Sequence, residues 1–373
     1  MTGRLCALLV AALVATACEQ RTVRPRRTVT PGRAVARSAP ARRVPGGLPS
    51  FGHVFIIVEE NADYADVIGD TTMPYLNDLA RQYGLATRFY GNAHPSIGNY
   101  FMLAVGDTVT NDDGFSDMVE ADNVLRALGA AGKTWKSYAE DLPQVGYVGP
   151  GRRRYARKHN VFALLTDVVQ DSAQARNLVP FPQLATDLAA NTLPDYGFIV
   201  PNLCNDAHDC PLRIADEWLK RNIDPLVRSP AFQRDGLLII VFDESRADNL
   251  HGGGLIPCVI VSPKAKPGYQ SKTLYQHQSL LRLSLEALGV QAFPNGAARA
   301  PDMDEFFALP RDLHRKRRTP AVARAQVRSA GGTSRSNQNW VPQPGRVSRY
   351  SSEPMARTRR RVSASPRPVP EKR

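Results

Sequence analysis

The stretch that decides the fold is the apolar run Gly236-Leu237-Leu238-Ile239-Ile240-Val241-Phe242, which continues directly into Asp243-Glu244-Ser245. A continuous apolar run rich in β-branched residues predicts a strand that is buried on both faces of a sheet. The same pattern predicts strands at 53–58, 196–200 and 255–261, and a further strand at 133–139. Strands buried on both faces are typical of a parallel sheet.

Segments with helical spacing of their apolar residues separate the predicted strands. They cover residues 73–83, 100–105, 123–128, 161–169, 215–227 and 274–288. Strands that alternate with helices predict an α/β fold, in which helices cover both faces of a mostly parallel central sheet. We expect one such domain over residues 51–310.

The net charge of +13 is concentrated outside this domain. Residues 51–310 contain 22 Lys or Arg and 31 Asp or Glu, a net charge of −9, whereas the flanks are rich in Arg, Pro and Ser. A basic balance confined to such segments is typical of solvated polymer rather than of a binding face. Because the core is acidic and carries no recognition motif, we do not expect specific nucleic-acid binding.

The two flanks carry predictions of their own. Residues 1–18 combine one positive charge with an apolar run of about 10 residues, too short to span a bilayer, and end in Ala15-Thr16-Ala17-Cys18. They resemble a bacterial lipoprotein signal, in which Cys18 becomes a lipidated membrane anchor, and an ordinary signal peptide cleaved near Ala17 is the alternative. Both interpretations predict export, to the periplasm, the cell surface or the medium.

The segments at 19–50 and 311–373 have no apolar periodicity and predict a disordered basic linker and a disordered basic tail. The tail either contacts anionic envelope polymers and lipid headgroups or stays solvated without a partner. No protein partner is evident from the sequence.

Three of the five cysteines lie in the predicted domain. In an oxidising compartment Cys204 and Cys210 can close a small disulfide loop. Cys258 lies in an apolar run and is expected to be a buried small hydrophobe. The spacing of Cys204 and Cys210 alone does not make a zinc site.

Polar side chains follow three of the predicted strands, at the point where each strand ends. The clusters are Glu60 with Asn61, Asp206 with His208 and Asp209, and Asp243 with Glu244. The carboxyl ends of parallel strands share one edge of a sheet, where a binding crevice forms. Carboxylates packed together need a neutralising cation. Their oxygens suit one divalent ion, Ca²⁺, Mg²⁺ or Mn²⁺, with Zn²⁺ or Fe as the alternatives.

The segment His94-Pro95-Ser96-Ile97-Gly98-Asn99-Tyr100 places a serine where an extended stretch becomes a predicted helix. Unpaired N–H groups and the helix dipole favour an anion there, so a hydroxyl at this point can attack a phosphoryl group. The alternative is that Ser96 only caps the helix, since serine is a preferred N-cap residue. The carboxylate clusters favour the nucleophile, because a metal ion beside Ser96 would lower the pKa of its hydroxyl.

Four of the seven histidines adjoin these motifs, namely His94, His159, His208 and His277. One of them can protonate a leaving alkoxide while others bind the phosphate. For each histidine taken alone, a surface or structural role is the alternative. His208 lies in the polar loop between Cys204 and Cys210 and is the best placed of the four.

Six motifs cover most of the predicted domain: Val58-Glu59-Glu60-Asn61, His94-Pro95-Ser96-x-x-Asn99-Tyr100, Lys158-His159-Asn160, Pro201-Asn202-x3-Asp206-x-His208-Asp209-Cys210, Asp243-Glu244 followed by Gly252-Gly253-Gly254, and Tyr275-x-His277-x-Ser279-Leu280-Leu281. In this order they resemble the bacterial phosphoesterase family of acid phosphatases and phosphate-releasing phospholipases of the C type. That family belongs to the alkaline-phosphatase-like superfamily, so the resemblance implies an alkaline-phosphatase-like three-layer sandwich. Gly98 and Val161 stand where the family has proline.

The resemblance also implies roles for individual residues. One metal ion would be held by Glu60, Asn61, Ser96, Asp243 and Glu244. Ser96 would be the nucleophile that forms a phosphoserine, and Asn99 would donate a hydrogen bond to a phosphate oxygen. His159 and His208 would line the phosphate site, with His208 oriented by Asp206.

The sequence therefore predicts an exported, metal-dependent phosphoric-ester hydrolase that acts on a small phosphate monoester, as an acid phosphatase does. A phospholipase C-type phosphodiesterase that acts on phospholipids is the alternative within this class. An alternative of another class is a non-catalytic protein, tethered to the envelope at Cys18, that binds anionic polymers through its basic tails.

Overall fold

The computed structural model describes residues 47–308 of the chain. The predictions for the signal sequence at 1–18, for the tail at 311–373 and for most of the linker at 19–50 lie outside the described residues. No helix within residues 47–308 is both long enough and apolar enough to cross a lipid bilayer.

Eight strands form one sheet. In chain order they are β1 (His53–Glu59), β2 (Gly84–Ala86), β3 (Trp135–Ala139), β4 (Leu178–Pro180), β5 (Tyr196–Val200), β6 (Gly236–Phe242), β7 (Cys258–Val261) and β8 (Tyr269–Ser271). Across the sheet their order is β4-β3-β5-β1-β6-β7-β2-β8. All neighbours are parallel except β7, which runs antiparallel to both β6 and β2. The predicted mostly parallel sheet is confirmed.

Helices occupy most of the connections between strands. They are α1 (Tyr64–Val67), α2 (Pro74–Gln82), α3 (Ile97–Ala104), α4 (Val124–Ala130), α5 (Thr166–Val169), α6 (Ser172–Ala175), α7 (Gln183–Ala190), α8 (Leu212–Asn222), α9 (Asp224–Arg228), α10 (Pro230–Asp235) and α11 (His277–Ala287). Short 3₁₀ segments lie at Arg157–His159, Val161–Leu164, Leu250–Gly252, Asn295–Arg299 and Asp304–Phe306.

The central strands are covered on both faces. Every residue of β6 is buried, as is every residue of β1 after His53. Two groups of helices each pack among themselves: α2 and α8 to α10 form one group, and α3, α4 and α11 form the other. The carboxylate of Asp216 in α8 fastens the first group, because it accepts the backbone N–H groups of Tyr75 and Leu76 at the start of α2. This is the three-layer α/β arrangement that the alternating pattern predicts.

Several element boundaries differ from the sequence prediction for local reasons. The strand predicted at 255–261 begins only at Cys258, after Pro257, which has no N–H to donate to a ladder. The helix predicted at 215–227 is two helices divided at Ile223, because Pro225 cannot continue a helix from the preceding turn. The segment predicted as one helix at 161–169 is a 3₁₀ turn followed by α5.

Gly197 in β5 lies directly beside the side chain of Phe55 in β1. A Cβ atom at this position would lie 2.3 Å from Cδ1 of the buried Phe55 ring. We therefore expect Gly197→Ala to lower the free energy of unfolding by about 1–3 kcal/mol, because overpacking forces the ring off its rotamer or the strands apart. Urea unfolding monitored by circular dichroism measures the change.

Gly129→Ala in α4 is the matched control, since no atom lies within 4 Å of a Cβ built there. Alanine is the better helix former, so this variant should be neutral or up to about 1 kcal/mol more stable. Equal stability of the two variants would contradict the packing argument.

Candidate active site

The ends of the two central strands carry the centre of the site. Strands β1 and β6 pair in register up to Glu59 and Phe242, so Glu60 and Asp243 emerge side by side. The backbone N–H of Asn61 donates to Oδ1 of Asp243 at 3.0 Å. The backbone N–H of Glu60 donates to the carbonyl of Asp206 at 2.8 Å, which brings the loop after β5 to the same edge. The three predicted polar clusters therefore meet at one edge of the sheet.

Ser96 lies at the N-cap position of α3 and is buried. Its side chain makes no capping hydrogen bond; instead Oγ donates to Oε2 of Glu60 at 3.1 Å. The N-terminus of α3 is served by another residue, since Oδ1 of Asp113 accepts the N–H of Ile97 at 3.1 Å. The hydroxyl of Ser96 thus faces the carboxylate cluster rather than its own helix.

Glu60 is the most connected side chain of the cluster. Oε1 accepts the hydroxyl of Tyr100 at 2.7 Å, and Oε2 accepts Nδ2 of Asn61 at 2.8 Å in addition to Ser96. Complete burial, followed by the nearby charges of Asp243 and Asp206, raises the pKa of Glu60 well above its usual range. Glu60 is therefore a stronger base than an exposed carboxylate.

His159 is buried between Asp206, Glu60 and the ring of Tyr100. Its Nδ1 lies 3.2 Å from Oδ2 of Asp206, and its ring is stacked on Tyr100 with centroids 4.8 Å apart. Its Nε2 lies 3.1 Å from Oε1 of Glu60, but not along a hydrogen-bond direction, and has no hydrogen-bond partner within residues 47–308. Burial first, and then the charge of Lys158, lowers the pKa of His159 to about 3, so the ring is neutral.

The structure changes the expected partner of Asp206. Its carboxylate orients His159, and it meets His208 only through the backbone, where Oδ1 accepts the N–H of His208 at 2.9 Å. The ring of His208 pairs instead with Asp209 at 2.8 Å. The reason is local: Ala207 has φ +73°, and this turn points the His208 side chain away from the carboxylate two residues earlier.

His208 is held in a short closed loop. Cys204 and Cys210 form a disulfide around it, as the sequence allows, and Cys258 is free and buried as predicted. The His208 side chain is 32% exposed, and its ring centroid lies 5.9 Å from that of His159. His208 is therefore both close to the buried cluster and open to solvent, which suits proton exchange.

His94 and Glu244 contact each other at the edge of the site, apart from the contacts of His159 and Asp206. Nε2 of His94 lies 2.9 Å from the carbonyl of Asp248, which can only accept, so Nε2 carries a proton. Nδ1 lies 2.9 Å from Oε2 of Glu244. Burial first, and then the charge of Asp243, raises the pKa of Glu244 to about 8.

Asn99 fastens the loop that carries His94. Its Oδ1 accepts the N–H groups of Asn92 and Ala93 at 2.8 and 3.2 Å, and its Nδ2 donates to the carbonyl of Ala93 at 2.9 Å and to Glu244 at 3.4 Å. The side chain is completely buried. The structure thus gives Asn99 a positioning role, and its predicted bond to a phosphate oxygen stays a prediction.

The donor chemistry of the cluster fits a divalent cation. Glu60, Asp243 and Glu244 are buried next to one another, and burial raises the pKa of all three. Oδ2 of Asp243 is buried without a hydrogen-bond partner within the described residues. Oxygen donors of this kind suit a hard cation. In the part of the chain that the structure describes, however, no three His, Cys, Asp or Glu side chains are already arranged around one point.

Three contributors to the site received no role from the sequence: Tyr100 and Lys158 appear only as members of motifs, and Asp113 does not appear in any motif. Tyr100, one helical turn after Ser96, holds Glu60 and stacks on His159, and its i, i+4 spacing from Ser96 was a signal that could have found it. Asp113, which bonds the N–H of Ile97, forms an ion pair with Lys158. Nothing in the sequence around Asp113 or Lys158 indicates that these two residues form a pair.

His277 is a structural residue of the site. It is fully buried at the start of α11, where Nε2 lies 3.2 Å from the carbonyl of Phe242 and Nδ1 lies 3.0 Å from Oδ1 of Asn92. Through these contacts it fixes the end of β6, directly before Asp243. It does not reach Ser96 in any hydrogen bond of the structure, which agrees with the structural alternative for this histidine.

A family model described as the Phosphoesterase family matches residues 70–290, more than half of the chain. The chain belongs to the Phosphoesterase family. This match covers most of the segment between β1 and the end of α11 and contains Ser96, His159, Asp206 and Asp243. The predicted family membership is confirmed.

Two relatives illustrate the range of the family. The chain is 31% identical over 236 residues to a phosphate-repressible acid phosphatase of Penicillium chrysogenum, covering 60% of this chain and 55% of that protein. It is also 31% identical over 238 residues to a phosphatidylinositol-3-phosphatase of Mycobacterium tuberculosis, covering 63% and 77%. The chain thus spans little more than half of the length of the Penicillium protein.

Among solved structures, a protein of the alkaline phosphatase superfamily from Vibrio parahaemolyticus superposes with a TM-score of 0.46 at 13% identity. The superposition covers 69% of this chain and 72% of that one. The α/β fold class follows from the eight-stranded, mostly parallel sheet with helices in its connections.

The buried neutral His277 makes stability depend on pH. Burial lowers the pKa of His277 to about 4, whereas an unfolded histidine has a pKa near 6.5. As pH falls, the histidine of the unfolded state therefore binds a proton before that of the folded state does. The free energy of unfolding is highest above pH 6.5 and decreases as pH falls from 6.5 to 4. We expect this group to remove about 3 kcal/mol across that window.

Urea unfolding of the wild type and of His277→Asn at pH 4, 5 and 7 measures this contribution. The variant should be less stable at pH 7 and should lose less stability than the wild type on acidification. Parallel pH profiles for the two proteins would show that His277 is not the titrating group.

Proposed function

We propose that this protein is a hydrolase of phosphoric esters, most simply a phosphomonoesterase of the acid-phosphatase type that acts through a phosphoserine. The observation that carries the proposal is the direction of the Ser96 hydroxyl: it lies at a helix N-terminus, does not cap the helix, and donates to the buried carboxylate of Glu60. Membership of the Phosphoesterase family and the similarity to named acid phosphatases support the same chemistry.

Ser96 is the nucleophile in this proposal. As Oγ attacks phosphorus in line with the leaving oxygen, its proton moves towards Oε2 of Glu60, the acceptor of its hydrogen bond. Water then hydrolyses the phosphoserine and frees the hydroxyl.

The predicted metal ion would be held by Glu60, Asn61, Ser96, Asp243 and Glu244. Such an ion, whether Ca²⁺, Mg²⁺, Mn²⁺, Zn²⁺ or Fe, would neutralise the clustered carboxylates and the phosphate oxygens. The unpartnered Oδ2 of Asp243 and the raised pKa of its neighbours support this assignment.

The histidines divide into two roles. His159 is neutral because its pKa is lowered to about 3, and its ring is fixed by Asp206 and Tyr100, so it lines the phosphate site without supplying a proton. His208 is partly exposed beside it and is the better candidate to protonate the leaving alkoxide. His94 holds Glu244 in place from the other side.

Export, lipidation at Cys18 and the contacts of the basic tail remain predictions of the sequence. They place the enzyme at the outside of a cell, where it would meet phosphate monoesters in solution or on lipid headgroups. The mycobacterial relative named as a phosphatidylinositol-3-phosphatase supports testing a lipid-borne monoester beside soluble ones.

Hydrolysis of p-nitrophenyl phosphate by the full chain tests the proposal. We expect Ser96→Ala to lower kcat by at least ~10³-fold, as removal of a catalytic nucleophile does. Chelation should abolish turnover of the wild type, and add-back of single divalent metals should restore it and identify the ion. Ser172→Ala, an exposed serine in α6, is the control and should keep wild-type rates.

The intermediate has an independent readout. Acid quenching of the wild type with ³²P-labelled substrate should trap phosphoserine at Ser96, and the Ser96→Ala protein should trap none. Full activity of Ser96→Ala would move the nucleophile elsewhere. Turnover of phosphodiesters such as phosphatidylcholine at the rate of monoesters would support the phospholipase C alternative, and no turnover of any ester would support the tethered, non-catalytic alternative.

A further inference from the structure

A pocket of about 470 Å³ is lined by residues that contact or adjoin the Ser96 site, and neither the proposed nucleophile nor the metal ligands account for it. Its walls include Asp113, Phe115, Arg153, Tyr155, Arg157 and Lys158. We call it the Arg153–Lys158 pocket. The twelve lining residues include three cationic and two aromatic side chains, and the others are Asp113 and small or apolar residues. Cations beside aromatic rings suit an anion that is carried on an organic group.

The pocket is connected to the start of α3 through one of its own lining residues. Asp113 joins the two sites, because one carboxylate oxygen accepts the N–H of Ile97, the residue after Ser96, while the other pairs with Nζ of Lys158. Lys158 in turn precedes His159, which lies in the buried cluster. Asp113 and Lys158 thus connect the wall of the pocket to the neighbours of Ser96 and His159 in the chain.

Most of the cationic side chains around this pocket make no ion pair with a residue of the described part of the chain. Residues 152–158 hold five cations, and within the described part of the chain only Lys158 makes an ion pair. The guanidinium of Arg157 reaches one carbonyl, that of Val148, at 3.4 Å, and Arg153 is exposed. Arginine matches a phosphate or carboxylate through two parallel hydrogen bonds.

The backbone that presents these cations is fixed. Arg152 and Tyr155 exchange two backbone hydrogen bonds of 2.9 and 3.0 Å across a tight turn, in which Arg153 has φ +58°. The carbonyl of Arg154 accepts the N–H of Leu203 at 3.0 Å, which ties the turn to the loop that carries Asp206. A backbone that is already fixed does not have to be ordered when an anion binds, so only the arginine side chains lose freedom.

We propose that the Arg153–Lys158 pocket binds a second anionic group on the alcohol part of the substrate. This inference rests on the proposed function and deepens it: the preferred substrates are phosphate monoesters whose leaving group carries a further phosphate or carboxylate. A soluble bisphosphate and a phosphorylated anionic lipid headgroup both present this chemistry.

Phosphate release from propyl phosphate and from propane-1,3-diol bisphosphate measures the preference with a matched pair of soluble esters. For the full-chain wild type we expect kcat/KM to favour the bisphosphate by about tenfold or more, chiefly through KM, and the ratio to fall as salt rises. In the double variant Arg153→Gln/Arg157→Gln the ratio should fall to between about one and two. Arg221→Gln, an exposed cation in the last turn of α8, should keep the wild-type ratio.

A vesicle arm identifies the source of the second anion. Phosphatidylcholine vesicles that carry phosphatidylinositol 3-phosphate are compared with soluble inositol 1,3-bisphosphate, for the wild type and the double variant. If the double variant hydrolyses both the vesicle-bound lipid and the soluble bisphosphate more slowly than the wild type, the pocket accepts either source of the second anion. A lower rate on only one of the two substrates assigns that source.

A wild-type ratio near one, or a ratio that the double variant keeps, would overturn the pocket assignment while leaving the proposed hydrolase intact. Absence of phosphate release from propyl phosphate and from p-nitrophenyl phosphate would overturn the proposed function itself. Thermal unfolding of the double variant checks that the two substitutions, one exposed at Arg153 and one half-buried at Arg157, leave the fold unchanged.

Discussion

The arrangement of the site depends on the hydrogen bonds around one buried carboxylate, that of Glu60. It joins the end of β1 to the helix α3 through Ser96 and Tyr100, and Asn61 supplies a further donor. Because three donors converge on a side chain without solvent contact, α3 has little freedom to rotate relative to the sheet. The direction of the Ser96 hydroxyl is a consequence of that restraint.

The sheet places the carboxylate of Glu60 beside that of Asp243, and burying both there costs free energy. Parallel pairing of β1 with β6 up to Glu59 and Phe242 forces Glu60 and Asp243 to leave the sheet as neighbours. Burying two acids side by side raises the pKa of each, and only hydrogen bonds or a cation can offset the loss of hydration. Replacing buried charges of this kind with apolar residues of similar volume is often neutral or stabilising, so the cluster is not explained by stability alone.

The sequence predicted the centre of the sheet better than its edges. The strands at 196–200 and 236–242 are found with the predicted bounds, because a run buried on both faces leaves an uninterrupted apolar pattern. Strands β2, β4 and β8 have three residues each, too few for any periodicity to show, and they were not predicted. The convergence of the polar strand ends followed from topology alone, and the structure confirms it.

What the sequence did not reveal is which side chain meets which. Asp206 lies two residues before His208, so sequence proximity suggested that pair, yet the turn at Ala207 gives the carboxylate to His159, 47 residues away. The pair of Asp113 and Lys158 is of the same kind. Apolar periodicity reports burial, whereas the partners of polar groups are set by turns and long-range packing that leave no periodic trace.

The electrostatics of the site follow from the same geometry. The core is acidic overall, with a net charge of −9 over residues 51–310, and the carboxylates of the site would repel a phosphate ester that approached alone. The basic turn at 152–158 lies on the flank where Asp113 connects it to the start of α3. Lys158 also lowers the pKa of Glu60 and opposes a proton on His159, so its charge is felt inside the cluster. In the proposed mechanism, a cationic flank beside an anionic centre would attract one end of the substrate while the other end reaches Ser96. This asymmetry is more consistent with a phosphate monoester whose alcohol part is also anionic than with one whose alcohol part is uncharged.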